Sequence, residues 1–402
     1  YIDIHFKRGE NNMRFNKVLL ISVAYVDAFY KGGDAPEPGL GYMAEILETN
    51  NIEYDVLDMG LGYDVKALLE KIGEFKPELI GMAMKTFSYK HTYEVIKEIK
   101  RNFPQVKILV GGSHIALYKN AVLEECREVD FAAYREGEEL IVDLCTGKDV
   151  MIINNLIPRA NGSVIFNTSK PSLLHLDKIP FPKYKKFELN RYWYPARYII
   201  TSRGCPERCT FCSVPTVLGQ WWRARSPENV LEEIKYWYER GWRRFEILDD
   251  NFTLYNDRAA RICDLIIENS IKAEFDTPNC IRADRVDKNL LQKMKNAGWK
   301  TVSYGVDGGN NKTLQKIKKG ETIEQIEQTI RDSIDVGLDV ILHFIIGLPG
   351  ETVEDVEDSF RLALKYSIRL AIFNNIMPYP GTELYDEVVQ KKYLLDEPEE
   401  YM

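Results

Sequence analysis

Short apolar runs alternate with amphipathic stretches along most of this chain, and they do so twice, on either side of a proline-rich interval. In the first stretch, residues 17–22, 54–58, 79–84 and 107–110 read as strands, and 39–49, 65–75, 92–103 and 117–126 as helices. Strands separated by helices of that length pair in parallel, because the crossover helix must pack back onto the sheet. Apolar runs on both sides of the helices indicate a sheet covered on both faces. The expectation is a flavodoxin-like (Rossmann-type) doubly wound domain over 13–147.

The interval 148–195 carries Pro158, Asn161-Gly162, Pro171, Pro180 and Pro182. It reads as a linker with one hairpin at Asn-Gly, ending in an aromatic run, Tyr192-Trp193-Tyr194, that packs onto a flanking domain. The alternation then resumes, with strands expected at 198–202, 244–248, 272–276, 301–305, 339–346 and 370–376. Six strands in 196–390 suit a partial (β/α)6 barrel of the TIM type better than an eightfold one. Ser226, Pro227 and Glu228 mark one helix start: a capping hydroxyl, a proline in the first turn and an acid at the positive end.

Composition narrows the functional classes. A net charge of −8 over 402 residues argues against a partner such as nucleic acid. No apolar run approaches the roughly 18–20 residues of a membrane span. Residues 1–12 lack the apolar core of a signal peptide and read as leader- or tag-like sequence before Met13, while 391–402 read as the start of a C-terminal extension. The expected compartment is the cytoplasm. Seven cysteines, an odd number in a chain without an export signal, do not form a disulfide framework.

Three of the seven fall at Cys205, Cys209 and Cys212, a C-x₃-C-x₂-C spacing directly after an expected strand. Chance would give that spacing about 0.002 times in such a chain, so the three belong to one centre. Structural zinc wants four closed ligands, and no fourth donor lies near: the nearest histidine is His175. An iron–sulfur cubane held by three thiolates keeps one iron open to an outside ligand, such as the amino and carboxylate groups of an amino acid. A zinc-stabilised binding protein is the competing class.

With Phe211 before its last cysteine, at the end of a first barrel strand, this motif resembles the radical S-adenosylmethionine superfamily. Other stretches resemble that family in the same order: Leu248-Asp249-Asp250-Asn251-Phe252, Cys280-Ile281-Arg282, Gly305-Val306-Asp307-Gly308-Gly309, His343-Phe344-Ile345-Ile346-Gly347-Leu348-Pro349-Gly350 and Met377-Pro378-Tyr379-Pro380-Gly381. The resemblance implies a 4Fe-4S cluster on the three cysteines. It implies S-adenosylmethionine contacts at Phe211, Asp249, Asp250, Arg282, Asp307, Ile345, Gly347 and Met377. Asp307 and Gly308 depart from the family's usual Glu and Ser. Each polar residue also has a plain alternative: Asp249 and Asp250 as caps, Arg282 as an ion pair, Gly347–Gly350 as a turn, and Trp221-Trp222 as packing.

Upstream, Pro38-Gly39-Leu40-Gly41, Val110-Gly111-Gly112-Ser113-His114 and Tyr134-Arg135-Glu136-Gly137 resemble the cobalamin-binding domain of B12-dependent radical enzymes. That implies corrinoid contacts at Gly39, Met82, Thr86, Gly111, Gly112, Ser113, Tyr134, Glu136 and Gly137. The loop Asp58-Met59-Gly60-Leu61-Gly62 has no histidine, so cobalt is expected to take none from it, and His114 reads as packing. A domain that keeps the fold without the cofactor is the alternative. Together the resemblances imply methylation of an unactivated carbon (or phosphorus) centre in a small-molecule or peptide substrate through a 5′-deoxyadenosyl radical. They also imply a one-electron donor of flavodoxin or ferredoxin type as partner and an inter-domain substrate site. Radical cyclisation, rearrangement or oxidation is the alternative enzyme reading.

Overall fold

The computed structural model describes residues 13–23, 34–160, 162–166 and 175–394. The leader reading of 1–12, Asn161, Pro171 and most of the expected C-terminal extension lie outside them. The chain divides into two compact units. One runs to Leu174 and includes Lys178–Tyr194; the other begins at Pro195 and includes His175–Asp177.

The first unit is a sheet of β1 (Lys17–Ser22), β2 (Glu53–Asp58), β3 (Leu79–Ala83), β4 (Lys107–Gly111), β5 (Phe131–Ala133), β6 (Leu156–Ala160) and β7 (Ser163–Val164). The order is β2-β1-β3-β4-β5-β6-β7. β1 to β5 pair in parallel, the flavodoxin-like arrangement. Five of the six residues of β1 are buried, as a central parallel strand covered on both faces requires. Helices α1 (Pro38–Thr49), α2 (Val65–Phe75), α3 (Tyr89–Asn102), α4 (Ser113–Tyr118), α5 (Ala121–Glu125) and α6 (Glu138–Thr146) connect the strands. Asp64 caps α2 by accepting from the Ala67 N–H. Leu19, Ile21, Ile80, Ile96, Ile108 and Val110 form the centre of the core.

Two expectations change here. The helix expected over 117–126 is two short helices, because Lys119 at φ +54° breaks the run. Most of the interval expected as a linker falls in the first unit, His175–Asp177 and Pro195 excepted. β6 pairs antiparallel with β5, and β7 pairs antiparallel with β6, so the sheet continues through it. The aromatic run docks on the same unit: Tyr192 Oη donates to Asp58 at 2.8 Å, and Trp193 Nε1 to Asp34 at 2.7 Å.

The second unit opens with β8 (Arg197–Ile199), followed by a two-residue ribbon, β9 (Ser202–Arg203) against β10 (Arg223–Ala224), which brackets the short helix α7 (Val214–Val217). The remaining strands are β11 (Arg244–Ile247), β12 (Glu274–Asp276), β13 (Thr301–Asp307), β14 (Asp339–Ile346) and β15 (Leu370–Asn375). They run parallel as β12-β11-β8 and β13-β14-β15. Single parallel bridges, Phe275 with Trp299 and Ile281 with Tyr304, join the halves. The result is the partial six-stranded barrel. Around it lie α8 (Pro227–Glu239), α9 (Asn256–Glu268), α10 (Lys288–Ala297), α11 (Asn311–Lys316), α12 (Ile323–Asp335), α13 (Val353–Lys365) and α14 (Glu383–Gln390). α8 starts as its sequence dictates, with the Ser226 hydroxyl accepting from the Asn229 N–H. Phe245, Phe275 and Trp299 are buried and stack in series.

Candidate functional site

The cysteines occupy the excursion that β9 and β10 close. Gly204 opens it at φ +82°, and a Cβ there would stand 2.6 Å from the Trp221 carbonyl oxygen, so only glycine lets the two arms approach. Backbone bonds fix the loop: Cys212 N donates to the Cys209 carbonyl, Thr210 N to Ile317 at 3.0 Å, and Leu384 N to Thr210 at 2.9 Å. Cys205, Cys209 and Cys212 are free and half-buried, and Asn251 Nδ2 lies 3.7 Å from Cys205 Sγ. Burial pushes all three thiols up, Cys209 to about 11 and Cys212 to about 12. Binding a metal centre therefore means releasing protons.

Among the described residues no three His, Cys, Asp or Glu side chains converge as they would around a single ion. The donor set fits a three-thiolate cluster with one position left for an outside ligand.

At the end of β11 the two aspartates divide. Asp249 is buried, and its carboxylate accepts from Thr201 N at 2.6 Å, the Thr201 hydroxyl and the Ser202 hydroxyl at 2.6 Å. It pins the strand that leads into the cysteine loop and has no open face for a ligand. Asp250 accepts from Gly204 N at 3.3 Å, and burial, then the neighbouring Asp249, raises it to about 6. Asp250 remains the one placed beside the loop.

Arg282 likewise has internal partners. Its guanidinium pairs with Asp284 at 2.9 Å, donates to the Lys319 carbonyl at 2.8 Å, and lies 3.6 Å from Glu207, which sits between two of the cysteines. Arg285 reaches the same Glu207 at 3.2 Å. The arginine is a buried ion pair that positions the cysteine loop.

Asp307 ends β13 at φ +64°, a backbone conformation aspartate tolerates better than glutamate. Its carboxylate is 2.6 Å from Lys319 Nζ, itself 6% exposed and 3.7 Å from Glu321. Burial pulls the Lys319 ammonium down, but Asp307 and Glu321 outweigh it and hold it above the ordinary lysine range. Gly308 replaces the family's serine for a steric reason: a Cβ would meet Thr313 Cγ2 at 2.5 Å. Gly347, at φ +89°, donates its N–H to Glu351 at 2.6 Å and closes the turn after β14. Ile345 near that turn, Met377 after β15 and Phe211 in the cysteine loop are half-buried. Trp221 is 71% exposed, and Trp222 tilts against Tyr255 at 5.1 Å.

Sequence reasoning missed Glu207, Asn251 and Lys319. Glu207 carried a signal, its place between cysteines. Lys319 carried none, since Lys316-Ile317-Lys318-Lys319-Gly320-Glu321 reads as a solvated charge run.

In the first unit the expected corrinoid residues gather at the carboxyl ends of the parallel strands, where ligands settle in such sheets. Gly111 ends β4; Gly112 and Ser113 lead into α4; Tyr134, Glu136 and Gly137 follow β5; Thr86 follows β3. Gly112 sits at φ +112°, and its Cβ would be 2.6 Å from the Met84 carbonyl oxygen; Gly39 has nothing within 4 Å of a Cβ. Met82 buries its side chain in the core, so it offers only backbone at that edge. The loop at Asp58 is filled by Tyr192, and Asp58 also caps Gly60 N at 2.9 Å. His114 is 1% exposed, stacked on Tyr89 at 4.3 Å and tilted against Tyr118 at 4.5 Å, with no partner for either ring nitrogen among the described residues.

Comparison with known proteins agrees with this geometry. The radical SAM superfamily model matches residues 199–363, and the B12 binding domain model matches 28–144. An uncharacterised methyltransferase of Pyrococcus horikoshii is 31% identical over 395 residues, covering 95% of this chain and 85% of its own. An anaerobic magnesium-protoporphyrin IX monomethyl ester cyclase of Rubrivivax gelatinosus is 26% identical, covering 90% and 68%. The solved radical S-adenosylmethionine methyltransferase TsrM of Kitasatospora setae superposes with a TM-score of 0.81 at 20% identity, covering 94% of this chain and 76% of its own. These matches and the three-cysteine loop establish that the chain belongs to the radical S-adenosylmethionine superfamily, in the group that carries a B12-binding domain ahead of the radical core.

Proposed function

We propose that this enzyme is a cobalamin-dependent radical S-adenosylmethionine methyltransferase that modifies an unactivated carbon (or phosphorus) centre of a small-molecule or peptide substrate. The observation that carries the reading is the loop of three half-buried thiols at C-x₃-C-x₂-C spacing, in a chain that also has a B12-binding domain. When bound, the cluster supplies one electron to cleave the sulfonium, and the corrinoid carries the methyl group.

The chain's own residues supply the setting. Cys205, Cys209 and Cys212 release their protons to hold the cluster. Asp250 and the backbone around Phe211, Asp307, Ile345, Gly347 and Met377 orient the nucleotide. Asp249, Arg282 and Lys319 act through position, holding the strand ends and the loop to a fixed spacing. At the first sheet's edge, Gly39, Gly111, Gly112 and Gly137 let a flat macrocycle approach the backbone, with Thr86, Ser113, Tyr134 and Glu136 beside it. No histidine of the Asp58 loop is available to cobalt.

A cytoplasmic location and a separate one-electron donor complete the proposal. The location rests on the free cysteines, three of which must stay reduced, and the donor on the one-electron cleavage proposed above. Among the described residues no helix is long and apolar enough to cross a membrane.

Anaerobic reconstitution of the full chain with iron, sulfide and cobalamin tests the reading. The wild type should bind about four irons per chain and show both cluster and corrinoid absorption. Cys209→Ala should lose the iron while keeping the corrinoid. A colourless zinc protein would overturn the cluster assignment, and an iron protein that takes up no cobalamin would overturn the methyl carrier. The relatedness to a cyclase favours radical chemistry without methyl transfer as the second reading, and analysis of products for a transferred methyl group separates the two.

A further inference from the structure

Three consecutive turns enter the barrel strands at the end opposite the cysteine loop. They are the α8–β11 turn at 240–243, the α9–β12 turn at 272–273 and the α10–β13 turn at 298–300. They are packed tightly. Gly298, at φ +116°, lies so close to Ala273 that a Cβ would fall 2.2 Å from its carbonyl oxygen. Trp242 forms part of the floor, with the Arg197 guanidinium 3.5 Å above its ring. Between the turns lies a solvent-open depression of about 800 Å³.

The charges lining the depression are one-sided. Arg240, Arg243, Arg244, Lys272 and Lys300 face a single lining carboxylate, Glu274. Arg244 has Glu246 at 3.3 Å. Among the described residues the other four cations have no carboxylate within 4.0 Å. Arg243 is held in place by the Tyr238 and Trp242 carbonyls, and Arg240 by Tyr236. Some exposed cations elsewhere stand beside acids, as Lys318 does with Glu383, Lys288 with Asp335 and Arg361 with Glu357. In a chain of net charge −8, this concavity concentrates positive charge against its own repulsion. A cleft lined by one sign focuses its field on an ion of the other. Guanidinium forks and ammonium groups together match phosphate oxygens, and four cations without acidic partners call for more than one negative charge.

We propose that this depression is a second ligand site, remote from the cysteine loop, that binds a phosphate-bearing small molecule of the diphosphate or diphosphate-ester class. The inference does not depend on the reaction assigned to the cysteine loop.

Calorimetric titration of the reconstituted full-length protein tests it, with S-adenosylmethionine saturating its own site. The probes are ADP, inorganic phosphate and adenosine. ADP should bind saturably and more weakly as salt is raised, and adenosine should not bind. Binding of inorganic phosphate as well places recognition in the phosphate alone, whereas binding of ADP without it supports a diphosphate ester. The double variant Lys272→Glu/Lys300→Glu changes only exposed side chains and should weaken ADP at least tenfold. Lys391→Glu, a reversal at a paired surface lysine, should leave ADP affinity unchanged. Equal binding of adenosine and ADP, no saturable ADP binding, or undiminished affinity in the double variant would each refute the site.

Discussion

The two units solve the same problem with opposite materials. Both gather their candidate site residues at the carboxyl ends of parallel strands. In the first, that edge combines glycines and small hydroxyls with an apolar core, and among the described residues its buried histidine has no polar partner. In the second, the corresponding end is a web of buried ions: Lys319 with Asp307 and Glu321, Arg282 with Asp284 and Glu207. A backbone edge accommodates a large flat ligand through shape. A charge web instead fixes loop spacing around a compact centre, at the risk that one lost partner strands a buried charge.

The largest effect that would break this contrast is in the second unit. Lys319→Met removes the cation paired with buried Asp307 and 3.7 Å from Glu321, and should cost about 3–5 kcal/mol. Chemical denaturation followed by intrinsic fluorescence measures it. A loss below about 1 kcal/mol would mean the web is solvated and the contrast false.

Next in size is the acid response of the first unit. Burial pushes His114 from its ordinary 6.5 down to about 4. The unfolded chain takes up a proton there that the folded chain refuses, so stability falls as the pH drops from about 6.5 to 4 and is retained above that window. The contribution is about 3 kcal/mol. His114→Phe, which also removes two unpaired nitrogens, should flatten that part of the pH profile. An unchanged acid slope would show that His114 is protonated in the fold.

The smallest effect sharpens the comparison by testing one polar contact in the apolar unit. Tyr192→Phe removes the hydroxyl that donates to Asp58 and should cost about 1 kcal/mol. A cost above about 3 kcal/mol would place the loop at Asp58 among the ion-like elements of the second unit.

How much of this was legible in the sequence follows from the range of the interactions. A strand such as Lys17–Ser22 declares itself because burial on both faces leaves an unbroken apolar run over 18–21. β5, three residues long, is too short to carry a pattern and was not foreseen. The cysteine loop was legible because its donors are neighbours in sequence. The ion web was not, because Lys319 meets Asp307 from twelve positions away and looks identical to its solvated neighbours Lys316 and Lys318. Asp249 was seen as notable, but only the fold shows that Thr201 and Ser202 consume its oxygens.

The hairpin of β6 and β7 has a practical outcome for anyone dissecting the molecule. Stopping the chain at 147 would strip the partner from β5 and leave a raw row of amides and carbonyls, a template on which copies can zip together. Carrying the cut to Tyr194 keeps that border sealed and takes with it the tyrosine that plugs the loop at Asp58. The sensible place for the scissors is therefore just ahead of Pro195, well beyond where the helices of the first half appear to finish.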